Sequence, residues 1–229
     1  MSIFSRRLPF DRKIMLEKAD RLQKGRRWRH ALQLYRQVLA AEPRNAELHY
    51  RTAPLLARAK RDAEAWESFR VAAEAMDQQN EAGRHLRILR TAGATLPRNF
   101  EAQRALAQAE RASQNSDAAL EILLTAAERL ARRRSRRQSI LLLRDARQLA
   151  PAHPGVIHTL ARRLGQDGQA AEALFLLDQL ESRVSGEDHL RTSGLIWRIE
   201  PSLRHTWRYF TAWRDFRRQA RPSARRARA

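Results

Sequence analysis

The chain has no cysteine among its 229 residues. That excludes disulfides, thiolate metal sites and a cysteine nucleophile, and nothing implies an oxidising compartment. Glycine and proline number only eight each and aromatics make up 7%, a mixture that favours helix over strand. No apolar run approaches the 18 residues of a membrane-spanning helix. The first residues, MSIFSRRLPFDRK, lack the apolar segment and cleavage site of a secretory signal. A cytoplasmic location is the simplest expectation.

Charge of one sign is plentiful. Lys and Arg total 45 against 25 acids, a formal net charge of +20. Such a field attracts anions without choosing among them. An acidic protein face is the leading expectation; non-specific RNA or DNA and a peripheral anionic membrane are the alternatives. There is no zinc-finger spacing, ribonucleoprotein signature or phosphate-cradling glycine loop.

The strongest pattern is internal repetition. Ala19, Ala31, Tyr35, Val38 and Pro43 within 12–45 recur in spacing as Ala53, Ala65, Phe69 and Ala72 within 46–79. The spacing returns from Phe100 as Leu106, Ala107, Ala119, Leu123 and Ala126, and from Pro154 as Leu160, Ala161, Leu164, Ala173, Leu177 and Leu180. Small residues let paired helices approach and large ones fill the gap between them. Pro43, Pro97 and Pro151 are each 54 residues apart. This divides the centre into units 46–99 and 100–153, each with a helix pair and a third helix. In those third helices Leu89 and Ala92 match Leu143 and Ala146, and His85 matches Ser139. The final unit spans 154–201, its third helix at 187–201 with the spacing shortened to 50.

These registers resemble the tetratricopeptide repeat (TPR) family. The resemblance implies an all-α, TPR-like α-solenoid built from helix pairs with additional third helices in 54-residue units. It implies peptide or protein binding on a concave face, although fold alone does not establish function. The clamp of Lys, Asn and Arg by which some TPR domains hold acidic C-terminal tails is missing, because the corresponding positions hold Leu16, Asp20, Arg51 and Ala105.

Partner contacts are expected in three places. Arg51, Arg58, Arg104, Arg111, Arg162 and Arg163 lie on successive first helices and can form a basic groove or a solvated face. The run RRRSRRQS places Arg132, Arg133, Arg134, Arg136 and Arg137 at the joint between the second and third helices of one unit. The C-terminal stretch 202–221 interleaves Trp207, Tyr209, Phe210, Trp213 and Phe216 with arginine. It can cap the stack, enter a partner's groove or lie on a membrane. A basic extension at 1–11 and a frayed tail at 222–229, interrupted by Pro222, complete the division.

No catalytic constellation is present. HExxH and nucleophile-elbow patterns are missing, and His153 and His158 read as an exit-turn residue and a solvated or capping one. The chain reads as a non-catalytic scaffold or adaptor for complex assembly, with no cofactor, metal or small-molecule substrate expected.

Overall fold

The computed structural model describes the main chain of residues 11–226 and the side chains of 11–218. Among the described residues there are twelve α-helices and no strand. They are α1 Arg12–Lys24, α2 Trp28–Ala41, α3 Ala46–Arg58, α4 Asp62–Gln78, α5 Ala82–Thr95 and α6 Phe100–Ala112. Then follow α7 Ser116–Arg129, α8 Arg136–Leu149, α9 Pro154–Gln166, α10 Ala170–Glu181, α11 Gly186–Ile199 and α12 Leu203–Arg226. The chain divides into two compact units, Met1–Ala109 and Glu110–Ala229.

In the first unit α1 packs on α2, α2 on α3, α3 on α4 and α4 on α5, and α3 also reaches α5. In the second, α7 to α12 pack in the same chain-order fashion, and α9 reaches α11. The core is built from the repeated positions. Ala19, Ala31, Tyr35, Ala53, Ala65, Phe69, Ala72, Ala119, Ala126, Ala161, Ala173 and Leu177 are fully buried. Alanine at the helix crossings permits close approach, and Tyr35, Phe69 and Leu177 fill the space between.

Two kinds of connection recur between these helices. One is a tight turn with a left-handed residue: Arg26, Lys60, Asn80 and Gln114 have φ near +60°, and Gly168 has φ +81°. The other follows α2, α5 and α8, where the N–H groups of Glu42, Leu96 and Ala150 bond back four residues before a proline. Each such turn then caps the next helix. Asn45 Oδ1 accepts from Leu48 N–H at 3.1 Å, Asn99 Oδ1 from Ala102 N–H at 2.9 Å, and His153 Nδ1 from Val156 N–H at 3.4 Å. The starts of α3, α6 and α9, at residues 46, 100 and 154, stand 54 residues apart.

The third helices carry a shared tie. His85 Nδ1 lies 2.9 Å from the Ala73 carbonyl oxygen, and the Ser139 hydroxyl donates to the Ala127 carbonyl at 2.7 Å. Both bonds span 12 residues and bind a third helix to the helix before it.

Two expectations need correction. The helix does not stop at Pro222, because the main chain of α12 is helical to Arg226. A proline gives up one main-chain hydrogen bond and strains the preceding turn, which raises the cost of a helix without compelling its end. His158 is neither solvated nor a cap. It is buried, and His153 is the residue that caps α9. Residues 1–10 of the N-terminal extension and 227–229 of the tail lie outside the described residues.

Candidate functional site

The first-helix arginines do not share one environment. Arg51 and Arg58 line a common cleft in the first unit with Asp20, Trp28 and Tyr35. There Arg51 is already engaged, bonding Glu47 at 2.7 Å and Asp20 at 3.4 Å. The Arg58 guanidinium sits over the Trp28 ring, 4.3 Å from its centroid. Tyr35 donates its hydroxyl to Asp20 and to Gln23. Burial, followed by the Asp20 hydrogen bond and charge, raises the Tyr35 pKa well above the ordinary phenol value. Arg104 leans over its own helix's Phe100 ring at 5.9 Å. Arg111 is exposed at the end of α6.

In the second unit a cleft of about 540 Å³ opens between α9, α11 and α12. Arg162, Arg191 and Arg198 line it, with Trp197 and Tyr209 as an aromatic wall. The two rings are stacked, with centroids 6.1 Å apart and planes 14° apart. Arg191 bonds Glu187 at 2.6 Å; Arg162 and Arg198 carry no ion pair among the described residues. At the floor, His158 Nε2 lies 2.8 Å from Thr192 Oγ1. Burial lowers the His158 pKa, Arg191 and Arg162 lower it further, and Asp188 opposes them. A floor kept neutral leaves the positive charge of the cleft on its rim.

The first unit has a cleft in the corresponding place, between α3 and α5. It is also about 540 Å³ and is lined by Glu47, Tyr50, Arg84, Arg87 and Ile88. There the Tyr50 hydroxyl lies 3.3 Å from Thr91 Oγ1, joining first helix to third as His158 and Thr192 do. Contact between a first and a third helix therefore creates both clefts. The sequence did not single out Trp197, Arg191 and Arg198, and it gave His158 a solvated or capping place, because that contact is long-range. The signal available was Gly194: its missing side chain leaves room for Tyr209, whose Cε2 would stand 3.2 Å from an added Cβ.

The C-terminal helix splits its aromatic residues between two faces. Tyr209 packs over Gly194, Ala212 is buried and Phe216 is partly buried. Arg208 on the same flank bonds Glu181 and Asp178 of α10. The opposite face shows Leu203 at 92% exposure and Trp207 at 67%. Along it Trp207, Phe210 and Trp213 succeed one another at 6.2 and 5.9 Å, and Arg217 covers Trp213 at 4.3 Å. One helix thus offers both a packed flank and an open aromatic face.

The joint arginines occupy the turn Arg133–Ser135 and the first turn of α8. Arg133, Arg134, Arg136 and Arg137 converge on Gln166 and Asp167 at the end of α9, while Arg132 stands exposed before them. Arg163 hydrogen-bonds Gln166 at 3.2 Å. No cluster of three or more His, Cys, Asp or Glu side chains suited to a metal occurs among the described residues. No described helix is long and apolar enough to cross a membrane.

Small residues at each helix crossing, a large residue between them and capped exits define the helix pairs. The repeats are TPR-like. No protein-family model matches the chain, and no curated protein matches it. Among solved structures it is similar to pilF of Pseudomonas aeruginosa, at 15% identity and a TM-score of 0.42, covering 90% of each chain. It is also similar to a tetratricopeptide repeat protein of Parabacteroides merdae, at 14% identity and TM-score 0.35, covering 90% of this chain and 91% of that one. A third similarity is to YrrB, described as a TPR protein with an unusual peptide-binding site. It has 13% identity and TM-score 0.28, covering 85% of this chain and 89% of that one.

Proposed function

We propose that the protein is a non-catalytic scaffold that holds an acidic segment of a protein partner in the cleft between α9, α11 and α12. The observation that carries this reading is the pairing of Arg162 and Arg198, both without ion pairs among the described residues, with the Trp197–Tyr209 stack. Arginine and exposed aromatic groups dominate binding energy at protein interfaces. Guanidinium groups at the rim select carboxylates, and the indole face supplies apolar contact. The open face of α12, led by Trp207 and Phe210, offers a second contact to the same complex.

The test is quantitative partner capture by cross-linking and mass spectrometry, comparing the full chain with an Arg162→Glu, Arg198→Glu double variant. The reading expects one reproducible set of acidic partners, depleted at least about tenfold with the double variant. Equal recovery of those partners by both proteins overturns it.

A second reading rests on α12 alone. Leu203, Trp207 and Phe210 are exposed on a helix rich in arginine, which suits an anionic membrane surface. Flotation with vesicles containing phosphatidylserine tests it: binding lost in a Trp207→Ala, Phe210→Ala variant supports the membrane reading, and no flotation removes it.

A further inference from the structure

Most arginines whose bonds are resolved in this protein are neutralised by a carboxylate. Arg36 bonds Glu64, Arg70 bonds Glu67 and Glu74, Arg144 bonds Glu172, and Arg208 bonds Asp178 and Glu181. The joint between α7 and α8 departs from this. None of Arg132, Arg133, Arg134, Arg136 and Arg137 has an ion pair among the described residues.

Four of them line one polar cleft of about 500 Å³, closed by Gln166 and Asp167. The counter-charge there is small. Asp167 Oδ2 accepts a hydrogen bond from the Gln169 amide at 2.9 Å, and Glu128 is the other acid whose charge reaches the neighbouring Arg163. Arg136 donates from one terminal nitrogen to the Gln166 carbonyl. Its Nε–H is buried without an acceptor, and so is that of Arg163. Burial and the adjacent charges of Arg162 and Arg136 lower the Arg163 pKa, so the cations here repel one another. The start of α8 adds to the deficit. Its first turn contains no acid, and its N-cap Ser135 turns its hydroxyl away to donate to the Leu130 carbonyl at 3.0 Å.

A buried guanidinium N–H without an acceptor is costly, and converging like charges add to the cost. A compact dianion in the cleft offsets the converging charges and accepts from the exposed donors of Arg133, Arg134 and Arg137. Its tetrahedral oxygens match the fork of arginine donors. A nucleic-acid strand is a poorer match: no aromatic side chain lines this cleft to stack a base. We propose that the arginine cleft at the α7–α8 joint is a phosphate-binding site that takes a phosphate monoester, as carried by a phosphoserine or phosphothreonine of a protein partner. This site is distinct from the aromatic cleft of α9, α11 and α12, and either can fail without the other.

The experiment uses the full chain with 15N-labelled arginine, following the Nε–H signals during titration with inorganic phosphate against chloride at constant ionic strength. Saturable shifts at Arg136 and Arg163 are expected with phosphate only. With inorganic phosphate they weaken as pH falls through about 7, and with a phosphate monoester below about 6, where each dianion takes up a proton. The exposed pair Arg134→Gln, Arg137→Gln weakens phosphate binding at least about tenfold, with an unchanged thermal melt as the folding control. A short Gly-phosphoserine-Gly peptide saturates the same signals, and its unphosphorylated form does not. The proposal is overturned by shifts that are linear in concentration, that chloride reproduces, or that survive the double variant. Preferential saturation of these signals by oligouridine over the phosphopeptide also overturns it, and assigns the cleft to nucleic acid.

Discussion

Trp197 and Tyr209 lie ring on ring, 6.1 Å between centroids and 14° between planes, and so join the last third helix to the C-terminal helix. The two rings have unequal duties. Both line the cleft and are partly exposed, Trp197 at 42% and Tyr209 at 36%, but Tyr209 also fills the space over Gly194. Tyr209→Ala therefore costs about 1–2 kcal/mol, through the lost stack and the void over Gly194. Trp197→Ala costs less stability and removes the surface offered to a partner. Chemical denaturation together with hydrogen exchange of α12 checks this: the Tyr209 variant loses α12 protection and the Trp197 variant largely keeps it.

The repeated cap makes a stabilising prediction. Asn45 and Asn99 cap α3 and α6 with bonds of 3.1 and 2.9 Å, but His153 caps α9 with one of 3.4 Å. Asparagine is among the best N-cap residues and reaches the first-turn N–H more directly. His153→Asn is expected to gain about 0.5–1 kcal/mol, with Pro154 retained at the first helical position. Urea unfolding measures the gain; a loss of stability contradicts the equivalence of these three turns.

His158 gives the fold a pH dependence of definite sign. Burial lowers its pKa in the folded state, so the unfolded chain binds the proton first as pH falls. Above the ordinary histidine value, about 6.5, both states are neutral at this residue and it adds no slope. Below that value the fold loses stability, until pH reaches the depressed folded-state pKa and the loss levels off. Denaturation of the native protein and a His158→Gln variant across pH 4–8 separates this residue from the other histidines. The native protein should show the steeper loss on the acid side, and parallel curves refute the assignment.

The helix pairs were legible in the sequence because their determinants are local. Ala53, Ala65, Phe69 and Ala72 repeat their spacing, and the prolines at 43, 97 and 151 mark the exits. The clefts were not legible. Tyr50 meets Thr91 across 41 residues, and His158 meets Thr192 across 34. Which arginines are neutralised was equally hidden: Arg51 finds Asp20 31 residues away, and Arg208 finds Glu181 27 residues away. Sequence shows a charge and its helix face, but its counter-ion depends on how the helices stack. The aromatic arm illustrates the same limit. Ala212 is buried and Tyr209 packs over Gly194 of α11, while Trp207 and Phe210 are more exposed.

Arg208 is the clearest electrostatic fastener of α12. It bonds Glu181, which is only 14% exposed, and Asp178 at 3.1 Å. Glu181 also accepts from the buried Ser193 hydroxyl at 2.9 Å, so one carboxylate ties α10 to both α11 and α12. Arg208→Ala leaves that carboxylate half-served in a largely dry setting, at a cost of about 1–3 kcal/mol. Both bonds come from one terminal nitrogen of Arg208, so lysine at this position restores part of the loss. Adding Glu181→Gln to Arg208→Ala removes the stranded charge and should recover part of the stability. Urea unfolding of the two single variants and the double variant gives the coupling. Strictly additive losses would show that Arg208 holds α12 through its alkyl chain and not through Glu181.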